Sequence, residues 1–320
     1  MNLLITGGYG FIGSNLAKLL VNKKEVKSLT IIDKHSYAAN PKNINSIHNH
    51  EKLHVEEYCL SDYELTKQTI DNRKISHIIH LAAETHVDNS IDSSKEFITS
   101  NINGTHSLLE AVRGSDIRFH HVSTDEVYGQ VLNGEKFTEK TPYAPRNPYS
   151  ASKAASDMMV RAYVNTYGIK ATLSNCSNNY GPHQHSEKLI PTIINSLAKG
   201  KKIPVYGDGK QVRDWIYVKD HCKALWKILK KGAIGKTYLV GADCEKTNLE
   251  TIKSICKLMN KDPRSSIEFV EDRLGHDFRY AIDSSTTEKE LDWKPETSFE
   301  KGLYCTLEFY YNQSKQKSYA

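Results

Sequence analysis

Met1-Asn2-Leu3-Leu4-Ile5-Thr6-Gly7-Gly8-Tyr9-Gly10-Phe11-Ile12-Gly13 is the stretch whose reading decides the fold. Leu3-Leu4-Ile5 is a short continuous apolar run, as expected of a strand buried on both faces. Ser14 to Val21 then places Leu16, Leu19 and Leu20 on one face, the periodicity of a helix. Between the two, Gly7, Gly10 and Gly13 recur at every third position. Glycine permits a tight turn and lets backbone N–H groups approach a pyrophosphate, and the helix N-terminus behind adds partial positive charge. Taken alone, such a loop is a common turn. Here Asp33 closes a second apolar run, Leu29-Thr30-Ile31-Ile32, 20 residues beyond Gly13. A carboxylate at that place accepts both ribose hydroxyls of an adenosine and repels a 2′-phosphate, so NAD is the expected cofactor.

Further apolar runs follow at His77-Ile78-Ile79-His80-Leu81, Phe119-His120-His121-Val122 and Ala171-Thr172-Leu173, separated by helix-like stretches. This alternation predicts an α/β chain, a Rossmann-type doubly wound parallel sheet covered on both faces. After about Asn175 glycine, proline and charge become frequent, as in Gly207-Asp208-Gly209. The expected division is a NAD-binding domain over 1–175 and a smaller α/β, mainly substrate-binding domain over 176–320, with some segments returning to the first. The polar stretch from Asn312 to Ala320 is expected to fray.

Composition narrows the function. The 320 residues carry 43 Lys+Arg against 38 Asp+Glu, a net charge of +5, too small an excess for a nucleic-acid scaffold. No apolar run approaches the ~20 residues of a membrane span, and the first residues lack the basic start of a signal peptide. The six cysteines lie far apart and none forms a CxxC pair. They suit isolated thiols in a reducing cytoplasm, with neither a disulfide framework nor a metal site expected.

Tyr149-Ser150-Ala151-Ser152-Lys153 places a phenol and an ammonium one helical turn apart. The ammonium is expected to lower the phenol's pKa, making Tyr149 a base that removes a hydroxyl proton as hydride leaves the same carbon. Ser123-Thr124-Asp125-Glu126 follows an apolar strand, and strand ends of such a sheet are where ligands bind. Thr124 is placed to bond the reacting sugar hydroxyl. The adjacent carboxyls of Asp125 and Glu126 suit a dehydration: one removes a C–H proton acidified by a neighbouring ketone, and the other, protonated, donates to the departing hydroxyl. A non-catalytic binder has no use for the full set.

These motifs resemble the extended short-chain dehydrogenase/reductases, and within them the nucleoside-diphosphate-glucose 4,6-dehydratases. The likeness also runs through Leu81-Ala82-Ala83-Glu84-Thr85-His86-Val87-Asp88, Asn175-Cys176-Ser177-Asn178-Asn179-Tyr180-Gly181-Pro182, Glu187-Lys188-Leu189-Ile190-Pro191, Arg213-Asp214-Trp215 and the 272–277 stretch. Sister epimerases and decarboxylases usually lack the Asp-Glu pair. The resemblance implies oxidation at C4, elimination across C5 and C6, and hydride return to C6, with Glu126 as base and Asp125 as acid. It implies that Lys153 also touches the nicotinamide ribose. It implies NAD contacts from Phe11, Ile12, Asp33, Lys34, Ser36, Cys59, Leu60, Leu81, Ala82, Ala83, Ser100 and Asn179. Thr85, Thr124 and Asn178 would face the sugar or its phosphates. Lys188, Leu189, Pro204, Val205, Tyr206, Arg213, Asn248, Arg273 and His276 match nucleotide-sugar contacts, the cations Lys188 and Arg213 neutralising a diphosphate.

Gly275-His276-Asp277 resembles the thymidine-nucleotide members, whereas uridine relatives often carry Phe-Asn-Asp there. The expected substrate is therefore dTDP-glucose; the alternatives are a dehydratase of UDP-glucose or UDP-N-acetylglucosamine and, behind these, a sugar-nucleotide epimerase of the same fold. Three positions depart from the family. Cys59 stands where an acidic residue commonly faces the adenine, Asn89 replaces a common arginine, and Thr85 replaces a more usual serine. The relatives pair through two helices, one carrying the YxxxK motif, which implies a homodimer; Ala154, Ala155, Met158, Met159 and Tyr163 offer its mixed small and apolar face.

Overall fold

The computed structural model describes residues 1–131, 134–272 and 277–318. Twelve strands are present among them: β1 (Asn2–Thr6), β2 (Ser28–Asp33), β3 (Leu53–Glu57), β4 (His77–His80), β5 (Arg118–Thr124), β6 (Ala171–Cys176), β7 (Asn178–Tyr180), β8 (Ile203–Tyr206), β9 (Val212–Tyr217), β10 (Thr237–Val240), β11 (Glu245–Thr247) and β12 (Ile267–Val270). Seven of them form one sheet in the order β10-β6-β5-β4-β1-β2-β3, and every pairing in it is parallel. This is the doubly wound sheet that the apolar runs predict. Two of its strands escape that reading. β3, Leu-His-Val-Glu-Glu, is mostly polar, and β10 lies 61 residues beyond the end of β6 (237 − 176), within the loop-rich half.

Alternation builds the two faces. Leu3 and Ile5 point into one core with Leu16, Leu20 and Leu225, while Leu4 points into the other with Leu108, Val160 and Leu173. The helix Phe11–Leu20 and the helix Val218–Lys231 cover the first face. The helices Tyr63–Asn72, Gly104–Val112 and Pro148–Tyr167 cover the second. A third core gathers Ile190, Ile193, Trp215, Ile252 and Leu303 beneath a three-stranded sheet, β11-β9-β7, beside a two-stranded one, β12-β8. The final helix, Phe299–Ser318, continues through most of the stretch expected to fray. Among the described residues no helix is long and apolar enough to cross a membrane.

Strand order reverses between β1 and β4, and a crevice opens there at the strands' carboxyl ends. A hydrogen-bond chain fixes its floor. Thr105 donates its hydroxyl to Asn101 O (2.6 Å), so it accepts from His80 Nε2–H (3.0 Å). His80 Nδ1 is then the acceptor for the Thr6 hydroxyl (2.7 Å), and Thr6 Oγ1 in turn accepts from Leu81 N and Ala82 N, each at 3.2 Å. Gly7, with φ +75°, leaves β1 so close to this exit that an added Cβ would stand 2.8 Å from Ala82 N. A Cβ on Gly13 would stand 2.1 Å from Gly7 O, which is backbone and has nowhere to go.

Gly13→Ala is expected to lower the urea midpoint by an amount worth roughly 1–3 kcal/mol. Gly10→Ala, whose Cβ would meet only Gly7 O at 3.2 Å, is expected to leave it nearly unchanged. Matching midpoints for the two variants would remove this turn as a packing constraint.

Candidate active site

The carboxyl ends of β1, β2, β4, β5 and β6 share one cleft. At one end Gly7, Gly10, Phe11, Ile12 and Gly13 form its wall, with Asp33, Lys34 and Ser36 beside them. Asp33 is buried and accepts from Tyr9 N at 2.7 Å. Burial pushes its carboxyl up to about 6, against the opposing pull of its backbone bonds. Lys34 donates to Ser100 Oγ (2.7 Å) and pairs with buried Glu84 at 3.0 Å, so two of the expected cofactor contacts hold each other in place. Cys59, Leu60, Leu81, Ala82, Ala83, Ser100 and Asn179 also line the cleft. Cys59 Sγ lies 3.1 Å from Ser61 Oγ.

The reacting groups stand further in. Asn147 caps the helix Pro148–Tyr167 through a reciprocal box with Ser150, and Pro148 opens its first turn. This start delivers Tyr149 and, one turn on, Lys153 into the cleft, both buried. Lys153 Nζ donates to Val122 O at 2.9 Å. Burial first, then the Glu126 charge, holds the Tyr149 phenol well above its usual range, against the lowering effect of its neighbour Thr124. The expected lowering is therefore corrected: burial and the Glu126 charge set the direction, and the Lys153 ammonium bonds the Val122 carbonyl.

Thr124 ends β5, and a 3-10 turn, Asp125–Tyr128, begins at once. Thr124 Oγ1 accepts from Glu126 N and donates to Asp125 Oδ1, each at 3.3 Å. Asp125 is buried at 2% exposure. Burial, then the charges of Glu126 and Asp214, raise its carboxyl well above the carboxylate range, with Arg213 opposing. Asp125 is thus protonated where ordinary carboxyls are ionised. Glu126 lines the same cleft, partly buried.

Thr85, Asn178 and Lys188 complete the wall facing these groups, and Lys188 Nζ donates to Thr85 O at 2.9 Å. The structure does not bring Leu189, Pro204, Val205, Tyr206, Arg213 or Asn248 to this lining. Val205 is buried in the third core, with Leu189 packed against it. Arg213 donates to the carbonyls of Val212, Phe278 and Asp277 and stacks 4.3 Å from the Tyr280 ring centroid. Asn248 bonds Gln211 Oε1 at 3.4 Å. Arg273 and His276 lie outside the described residues. Cys176, Gln184 and His185 line the cleft without having been singled out as site residues. Burial pushes the Cys176 thiol up to about 12, and its Sγ lies 3.4 Å from Ser123 O. Its place at the end of a sheet strand was the available signal.

The cleft fits a dinucleotide. Its glycine wall admits no Cβ at Gly7 or Gly13, and a buried carboxylate stands at the end of β2. It also fits a polar second ligand. Ser123 Oγ, Asp125 Oδ2, Asn178 Oδ1 and Gln184 Oε1 are buried there without a hydrogen-bond partner among the described residues, a state costing about 1–3 kcal/mol for each atom until one is supplied. No cluster of three His, Cys, Asp or Glu side chains suited to a metal ion occurs among the described residues.

Residues 4–306 match the family model described as GDP-mannose 4,6 dehydratase. A dTDP-glucose 4,6-dehydratase of Mycolicibacterium smegmatis is 46% identical, over 97% of this chain and 93% of its own. The crystal structure of dTDP-glucose 4,6-dehydratase from Bacillus anthracis in complex with NAD is 41% identical at a TM-score of 0.92, covering 98% of each chain. That of the Streptomyces venezuelae dTDP-glucose 4,6-dehydratase, with NAD and dTDP bound, is 38% identical at a TM-score of 0.94, covering 99% of this chain and 98% of that one.

The Asp33 carboxyl gives a pH dependence. Its raised pKa means that the carboxylate expected to accept ribose hydroxyls is present above about pH 6 and lost as pH falls through that value. The dissociation constant for NAD, measured by fluorescence titration, is expected to be flat above pH 7 and to rise by up to about tenfold per unit below pH 6. Asp33→Asn is expected to bind weakly with no such slope; a slope retained in that variant would assign it to another group.

Proposed function

The chain belongs to the family described as GDP-mannose 4,6 dehydratase, and from that premise we infer that it converts dTDP-glucose to dTDP-4-keto-6-deoxyglucose and water. The observation that carries this reading is the burial of Asp125, its carboxyl raised by that burial, beside Glu126 in the cleft that also holds Tyr149. An oxidation alone needs no such pair; removal of water across two carbons needs both a base and an acid.

NAD, when bound, supplies the hydride acceptor for C4 and the donor for C6. Tyr149 acts in its ionised, phenolate form: it takes the proton of the 4-hydroxyl while Thr124 holds that hydroxyl. Glu126 removes the proton at C5, acidified by the new ketone. Asp125 gives its proton to the C6 hydroxyl as water leaves, and Glu126 returns a proton to C5. The net change is the loss of one water, with no net consumption of the dinucleotide. Asn178 Oδ1 and Gln184 Oε1 offer acceptors to the sugar hydroxyls, and Lys188 offers a cation to the diphosphate. Residues 1–175 form the NAD-binding part and 176–320 mainly the sugar-nucleotide part, with 218–240 returning to the first. Six free cysteines support a cytoplasmic enzyme. Met158 and Tyr167, each 47% exposed on the helix that carries Tyr149, support pairing of two copies through that face, while Ala154 and Tyr163 are buried.

Incubation with dTDP-glucose and UDP-glucose side by side is expected to give an 18 Da loss from the first without growth of NADH absorbance; steady NADH growth would instead indicate a net dehydrogenase. Glu126→Gln is expected to slow exchange of the C5 proton by about 10²–10⁴-fold with little change in substrate binding. Asp125→Asn should slow loss of water more than the first oxidation, which single-turnover absorbance at 340 nm resolves. Equal, slight effects of both substitutions would remove the acid-pair reading.

A further inference from the structure

Lys18 lies on the helix Phe11–Leu20 and does not line the cleft. Its Nζ is 2.6 Å from His183 Nε2, and His183 Nδ1 is 3.0 Å from Asn43 Oδ1. Asn43 Nδ2 donates to Tyr9 O at 2.9 Å, so Asn43 Oδ1 is the acceptor for the imidazole Nδ1–H. That bond fixes the tautomer, leaving the Nε2 lone pair to accept a proton from Lys18. Asn43 is buried, and both Lys18 and His183 are half-buried. His183 is held with φ +72° and its ring centroid 4.4 Å from that of Phe309, so its direction is imposed from two sides. Nucleophile, base and orienting group therefore stand within hydrogen-bond reach of one another, the arrangement that activates an otherwise unreactive side chain.

We propose that Lys18 is an acylation site, an amine that takes acyl groups from acyl phosphates with His183 as its base and Asn43 as the group orienting that base. Nζ attacks the acyl carbon and forms the N–C bond as the C–O bond to phosphate breaks. Phosphate leaves with the bonding pair, and the amine proton passes to His183 Nε2 and then to water. Burial supports the step by lowering Lys18 to about 8. Burial with the Lys18 charge lowers His183 to about 4, so the imidazole is neutral and takes the proton only as the N–C bond forms and the attacking nitrogen becomes acidic. The amide product carries no charge to hold segment 181–185, whose Gln184 and His185 line the cleft.

The test is incubation of the full chain with acetyl phosphate and mass spectrometry of each lysine over time. At pH 8 Lys18 is expected to acquire acetyl groups at least about tenfold faster than the exposed Lys24 and Lys219. Its rate should level off above about pH 8, whereas an ordinary lysine gains rate up to about pH 10. His183→Asn keeps a residue that tolerates the left-handed backbone and is expected to slow Lys18 by about tenfold while leaving Lys24 and Lys219 unchanged. A Lys18 rate no faster than Lys24 in the unaltered chain, or no plateau in its pH profile, overturns the proposal without reference to any variant. A Lys18 rate unchanged by His183→Asn removes His183 as base and overturns it equally.

Discussion

The approach of Gly7 to the backbone of Ala82 is the contact on which the cleft depends. β1 and β4 leave the sheet side by side in opposite senses of winding, and the two exits touch with no side chain between them. The Thr6 hydroxyl locks the junction from below by joining His80 to the amides of Leu81 and Ala82. A wider junction would separate the glycine wall from the groups at the ends of β5 and β6. Geometry at backbone contact distance is harder to relax than side-chain packing, because no rotamer change relieves it.

Charge in the inner cleft is arranged by burial more than by pairing. Burial and anionic neighbours raise the Asp125 carboxyl, and the same causes raise the Tyr149 phenol. Lys153 is the buried cation. Its counter-charge is Asp157, one turn further along the same helix and 3.1 Å from His121 Nε2. Burial tends to raise Asp157, but His121, Lys153 and Tyr143 outweigh it and hold the carboxyl below its usual range. One carboxylate therefore stays ionised behind the cleft while another is protonated within it, because the two differ in partners and not in depth.

Much of this was legible in the chain. The runs at Leu3, Leu29, His77, Phe119 and Ala171 are strands of the main sheet, since a strand covered on both faces needs an unbroken apolar core and that pattern survives in one dimension. β3 was missed because an edge strand is covered less completely and alternates weakly. β10 was missed because its partner, β6, is remote in sequence. Tyr149, Lys153, Thr124, Asp125 and Glu126 come together in one cleft, as their motifs implied. The direction of the Tyr149 shift was not legible: spacing says that Lys153 is one turn away, but not that its ammonium points to Val122 O. Arg213 is the same kind of case. A cation in sequence reads as a partner for phosphate, whereas its carbonyl bonds and its stacking on Tyr280 come from residues 64–67 positions away.

The route of the chain through β10 has an architectural consequence. After building β7 and β9 beside the third core, it comes back, lays the helix Val218–Lys231 against the first face of the main sheet and docks β10 on the flank of β6. The two halves are therefore laced and not merely linked. A fragment ending at β6 would bare the Leu16 and Leu20 side chains that the returning helix roofs and expose an unpaired flank ready to recruit foreign strands. Chimeras that exchange the nucleotide-facing half between relatives would need their junctions on both sides of 218–240, three cuts and not one.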